Sequence, residues 1–173
     1  NVSKKTRLGI LNVQTDNDDL NTSQNFGVLV AEQQLSKNFT STGFLVNRQS
    51  TQDFNRVFGV NLNFKSDNNK WIALANAAKS SNNGISGNNN FYHAGVWYNT
   101  RGLSWNASVK QVDKNYITDV GFTPRLYNYD AVNDLVIREG YYHTNAGIEY
   151  EKFYGKSQKL NSFRIINYTN DNY

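Results

Sequence analysis

Apolar and polar side chains alternate with a two-residue period along most of this chain, in runs longer than ordinary strands need. From Phe54 to Lys65, Phe58, Val60, Leu62 and Phe64 alternate with Val57, Gly59, Asn61, Asn63 and Lys65. Leu103, Trp105, Ala107 and Val109 are set against Ser104, Asn106, Ser108 and Lys110. From Phe91 to Thr100, Tyr92, Ala94, Val96 and Tyr98 form one series and His93, Gly95, Trp97 and Asn99 the other. Tyr141 to Lys152 repeats the scheme, with Tyr142, Thr144, Ala146, Ile148 and Tyr150 opposed by His143, Asn145, Gly147, Glu149 and Glu151. Successive side chains of a strand point to opposite faces, so each run predicts a strand with one oily side.

Less regular strands are expected at about Thr6–Gln14, Asn25–Gln34, Thr40–Arg48, Trp71–Lys79 and Asn161–Tyr168. The Ala-rich run Trp71–Ala78 has helix-forming residues, but short turns flank it and its neighbours are strands, so it is assigned as a strand. The total is about nine strands of about 8 to 12 residues. Soluble strands average about 5–6 residues, whereas a tilted membrane-spanning strand needs about 9–11.

The links between strands sort by length. Longer polar links follow the first, third, fifth and seventh strands, at Thr15–Gln24, Gln49–Asp53, Ser80–Asn89 and an irregular excursion from about 113 to 140. Tighter ones follow the second, fourth, sixth and eighth, around Ser36–Asn38, Ser66–Asn69, Thr100–Gly102 and Gly155–Gln158. Short turns on one side and long loops on the other are the habit of outer-membrane barrels. The expected fold is therefore all-β, an antiparallel transmembrane β-barrel, with residues 1–173 forming one segment of it.

In that fold the lipid-facing residues are Phe58, Val60, Leu62, Phe64, Tyr92, Val96, Tyr98, Leu103, Trp105, Val109, Tyr142, Ile148 and Tyr150. No charge falls in the middle of these series, where Arg or Lys would cost about 2–4 kcal/mol at the lipid midplane. Arg56 shares a series with Phe58 but lies at the strand end, where its long stem can snorkel. Tyr92 with Tyr98, and Tyr142 with Tyr150, place aromatic rings near both ends of one face, as two interfacial girdles require. A soluble sandwich or lipocalin-like barrel with the oily side as its core gives the same alternation. Strand length, loop asymmetry and composition favour the membrane. Only 18% of residues are charged, against about 25% in average chains, and 28 Asn supply the missing polarity.

Bacterial single-chain barrels have even strand numbers. Nine strands, with Asn170-Asp171-Asn172 unlike a closing strand, point to an open fragment of a larger barrel. The opening Asn1-Val2-Ser3-Lys4-Lys5, without Met or an apolar leader, also reads as an internal piece. No run of about 18 apolar residues exists for a helical span, and without Cys there is no disulfide scaffold.

Several segments carry a resemblance: Gly9-Ile10-Leu11-Asn12-Val13-Gln14-Thr15, Thr42-Gly43-Phe44-Leu45-Val46-Asn47-Arg48-Gln49, Asn55-Arg56-Val57-Phe58-Gly59-Val60 and Asp119-Val120-Gly121-Phe122-Thr123-Pro124-Arg125. Their order and spacing, over about residues 6 to 152, resemble the C-terminal, barrel-like domain of unknown function in outer-membrane carbohydrate-binding family 9 domain-containing proteins of Gram-negative bacteria. The resemblance implies a longer parent chain, with a sugar-binding-like sandwich before residue 1 and further strands after Tyr173. It brings no catalytic residue.

The remaining motifs read as structure. The single Pro124 fixes its own φ and extends Thr123, so Asp119, Gly121, Phe122, Pro124 and Arg125 form a candidate corner or plug, with Phe122 filling an apolar gap and Arg125 pairing with Asp119. Asp16-Asn17-Asp18-Asp19 offers oxygen ligands but lacks the Gly and bidentate Glu of a calcium loop, and reads as a hydrated loop. His93 and His143, without Cys or a third His, make no metal site and are expected to hydrogen-bond in the interior. Glu149 and Glu151 share a face about 7 Å apart by strand rise, and read as a solvated rim. No nucleophile elbow, P-loop or dinucleotide fingerprint occurs, so no catalytic residue and no cofactor are assigned. Asn-x-Ser/Thr triplets such as Asn38-Phe39-Thr40 occur about as often as chance gives. A pI near 9.2 comes from scattered basic residues with no compact stripe, which argues against nucleic acid as a partner.

The expected function is a non-enzymatic segment of the bacterial outer membrane, an anchor or a subunit of an assembly, with lipid, lipopolysaccharide and other outer-membrane proteins as partners. The alternatives are a carbohydrate-binding or carbohydrate-processing outer-membrane protein, and a soluble β-sandwich interaction module.

Overall fold

The computed structural model describes residues 3–17, 22–120, 126–154 and 161–172. Nine long strands lie side by side: β1 (Thr6–Gln14), β2 (Asn25–Gln34), β3 (Phe39–Gln49), β4 (Phe54–Lys65), β5 (Trp71–Asn82), β6 (Asn90–Asn99), β7 (Leu103–Val112), β10 (Tyr141–Phe153) and β11 (Ser162–Asn172). Each pairs antiparallel with its predecessor in one meander, and β7 passes to β10 over the excursion. Among the described residues there is no helix, and the sheet is open, with β1 and β11 as its two edges.

Polar residues extend several strands past the expected ends. Strand β5 runs to Asn82, and Asn170-Asp171-Asn172 belongs to β11, paired with Asn145, Thr144 and His143. These ends need backbone pairing alone, so alternation does not mark them. The excursion is not wholly irregular either: β8 (Tyr127–Asp130) and β9 (Leu135–Arg138) form a separate hairpin. Its tip carries Asp134 at φ 52°, a conformation that a short polar side chain tolerates. The tight turn expected around Gly155–Gln158 lies outside the described residues.

Register fixes the faces. Opposed residues of a ladder share one side of the sheet. Following the pairs across all nine strands, every residue expected to face lipid falls on a single side. The rows also run obliquely to the strand ends. One begins at Leu8, near the start of β1, and passes Ala31, Gly43, Val60, Ala77, Tyr92 and Gln111 to finish at Tyr142, at the opposite end of the molecule. Such stagger means strongly tilted strands, the geometry from which barrels are closed.

The buried core lies on the other side. Val57, Ala78, Val112, Tyr116 and Leu126 form it, with Phe44, Val46, Phe91 and Tyr141 packed against it. Here the excursion crosses the sheet. A Cβ on Gly59 would sit 2.5 Å from the Ala77 carbonyl oxygen and 2.7 Å from the Phe44 ring, so only glycine lets that ring lie on the strand.

Candidate lipid-facing surface

The apolar side is built from strand centres. In β4 it shows Phe58, Val60, Leu62 and Phe64, and in β5 Ala73, Ala75 and Ala77. In β6 and β7 it shows Ala94, Val96, Ala107 and Val109, and in β10 Ala146 and Ile148. Among the described residues nothing forms a second layer over these side chains. Phe58, Val60, Phe64, Tyr92, Val109, Tyr142, Ile148 and Tyr150 are exposed, and Ile10 is 79% exposed, against 4% for Val57 on the opposite side. Leu62, Val96, Tyr98, Leu103 and Trp105 are half-buried by their neighbours. Ala31, Gly43 and Ala77 leave a shallow apolar depression between Leu29, Leu45, Phe58 and Tyr92. Contiguous exposed apolar surface on this scale marks an interaction surface.

Charges on this side stay at strand ends: Arg56 and Lys79 towards the long-loop end, Lys152 towards the other, and Asp171 near the end of β11. Arg56 folds its guanidinium over the Phe54 ring at 4.6 Å and donates to Asn47 Oδ1 at 3.0 Å. Aromatic rings gather at both ends. Tyr98 packs on Trp71 at 4.7 Å, and Trp71 meets Trp105 edge-on at 5.5 Å, near the short turns. Tyr92 and Tyr142 flank Gln111 in one row near the long loops. The Trp71 cluster was missed as a unit in sequence, because its rings come from three strands.

The opposite side is polar in β6, β7 and β10 and carries ordered hydrogen bonds. Asn106 Nδ2 donates to Asn145 Oδ1 at 2.5 Å, and His93 Nδ1 lies 3.5 Å from Asn76 Nδ2. Glu149 and Glu151 are not a free rim: Arg164 of β11 lies 3.1 Å from Glu149 and 3.8 Å from Glu151. Near both edges of the sheet this side turns apolar and exposed, at Leu11, Val13, Ile166 and Tyr168.

The first part of the excursion is laced to this side. Asn55, 2% exposed, donates from Nδ2 to the Ile117 carbonyl at 2.9 Å and accepts from the Asp119 N–H at 3.1 Å. Ser80 Oγ accepts from the Ile117 N–H at 3.1 Å, and Tyr116 stacks on Phe91 at 5.6 Å. Arg138 donates to the carbonyls of Lys114 and Tyr116, at 2.6 and 2.8 Å. Asp119 pairs with Arg48 at 2.7 Å, a partner the sequence did not suggest. Gly121, Phe122, Pro124 and Arg125 lie outside the described residues, as do Asp18 and Asp19. Asp16 Oδ1 accepts from the Asn17 N–H at 2.8 Å. Among the described residues no group of three His, Cys, Asp or Glu side chains is placed to hold a metal. Compared with protein-family models, curated proteins and solved structures, the chain matches none.

Proposed function

We propose that this chain is a non-enzymatic segment of an outer-membrane β-barrel, acting as a membrane anchor or as a subunit of an outer-membrane assembly. Its apolar side meets acyl chains, and its polar side lines the interior, where the excursion folds inward as a partial plug. One observation carries the reading: the oily residues lie together on an uncovered side of a tilted antiparallel sheet, while the buried core sits behind them. A soluble protein reverses this, burying the oily side and wetting the polar one. The aromatic rings near both ends, and charges confined to strand ends, fit the same environment. Lipid and lipopolysaccharide are the partners this reading implies, and the resemblance to carbohydrate-binding family 9 domain-containing proteins agrees with it. Expressed in a Gram-negative host, the chain is expected to stay with the membrane after urea washing. Recovery in the soluble fraction as a monodisperse species overturns the reading in favour of a soluble β module.

A further inference from the structure

Across the polar side, one ladder row brings Asn61, Asn76, His93, Lys110 and His143 together from five adjacent strands. Opposed side chains in such a row stand about 5 Å apart at Cβ, so Lys110 springs from the sheet between the two imidazoles. Among the described residues Lys110 has no carboxylate partner, and its Nζ leans over the Tyr141 ring at 6.0 Å. The acids elsewhere on this side are already engaged: Glu149 and Glu151 with Arg164, Asp119 with Arg48, Glu32 with Arg7. The two positions flanking Lys110 on its own strand are Ser108 and Val112, and those flanking His93 and His143 are Phe91, Gly95, Tyr141 and Asn145, none of them acidic.

A cation on the inner wall of a barrel, with no acid to neutralise it, draws a counter-ion into the site. Two imidazoles stand beside it: His93 Nδ1 lies 3.5 Å from Asn76 Nδ2 and His143 Nε2 bonds the Asn170 amide oxygen, so each ring offers its other nitrogen to the row. Basic side chains on an interior wall are also how barrel pores favour anions. We propose that this row is a binding station for a small oxyanion, a phosphate or carboxylate group, held by Lys110 and oriented by His93 and His143. The proposal rests on the barrel reading for its interior setting and on the sheet register for its residues, and anion binding by the row is measured separately from membrane association.

The chain contains only two His residues, so imidazole NMR signals report on this row without ambiguity. The full chain with labelled His is titrated with inorganic phosphate, and separately with acetate, at constant pH and ionic strength set by chloride. Saturable shifts of both imidazoles are expected with phosphate, acetate or both. The apparent dissociation constant is expected to rise about tenfold or more in Lys110→Gln and to stay close to the parent value in Lys110→Arg. Lys79→Gln, on the other side of the sheet, controls for net charge and is expected to bind normally, with circular dichroism confirming that each variant keeps its strands. Shifts that do not saturate with either anion, or that persist unchanged in folded Lys110→Gln, overturn the proposal.

Discussion

Asn55 ties the excursion to the sheet at two points. It addresses a carbonyl and an N–H of the same passing segment, as a neighbouring strand does. Asn55→Ala leaves both backbone groups beside a buried wall without their partner. The expected loss is about 1–3 kcal/mol in denaturant unfolding, together with faster proteolysis within 113–120. Asn55→Asp keeps an acceptor for the Asp119 N–H but sets a buried carboxylate against the Ile117 carbonyl, and is expected to cost at least as much as Asn55→Ala. Sequence gave no means of singling out this Asn among 28. The Arg48–Asp119 pair was hidden for a related reason. Those residues lie 71 positions apart, while the expected partner Arg125 lay close by in sequence.

Arg48 also grips Asp53 through both Nη atoms, at 2.9 and 2.8 Å, and Ser50 Oγ donates to the same carboxylate at 2.5 Å. These bonds, that from Arg48 foremost, hold the Asp53 carboxyl down to about 2. Its folded value is depressed, so the clasp contributes fully above the ordinary aspartate range, near 3.9, and is lost as pH falls through about 2. A carboxyl-carbon NMR titration is expected to show that midpoint for Asp53. A midpoint near 3.9 shows that the fork does not form in solution.

At the scale of elements, the long strands were legible because a side chain's face is set by parity alone. Strand β4 begins and ends where alternation places it, and the less regular β1 and β2 also keep their expected bounds. The hairpin of β8 and β9 was not legible, since its strands are four residues each and stand apart from the main sheet. Alternation also leaves open which side meets lipid, as a soluble core and a lipid belt share one pattern. Val60→Arg separates contact with lipid from contact with water on this side. Val60 lies midway along the oily series of β4 and is exposed. In water, a substitution at an exposed position changes stability by about 0.5 kcal/mol or less. In a bilayer, the same change is expected to cost about 2–4 kcal/mol, read as a shift in urea unfolding of the chain in lipid vesicles. A near-neutral result places Val60 in contact with water.

For the whole molecule, stagger and sidedness together describe an inclined oily band that passes from Leu8 and Ile10 in β1 to Phe163 and Ile165 in β11. A bilayer matches such a band only if the strands tilt and the aromatic ends sit at the interfaces. The three Trp residues test this arrangement. Trp71 and Trp105 belong to the oily side, near the short turns, whereas Trp97 belongs to the polar side, lying against Gly95. In vesicles with brominated acyl chains, Trp97→Phe leaves the two outward rings and is expected to keep most of the fluorescence quenching. Bromines placed near the headgroups should quench these rings more strongly than bromines near the chain ends. The double variant Trp71→Phe, Trp105→Phe leaves only the inward ring and is expected to lose nearly all quenching. Equal quenching of the two variants removes the sidedness on which a barrel wall depends, and the inward-facing anion station then loses its interior.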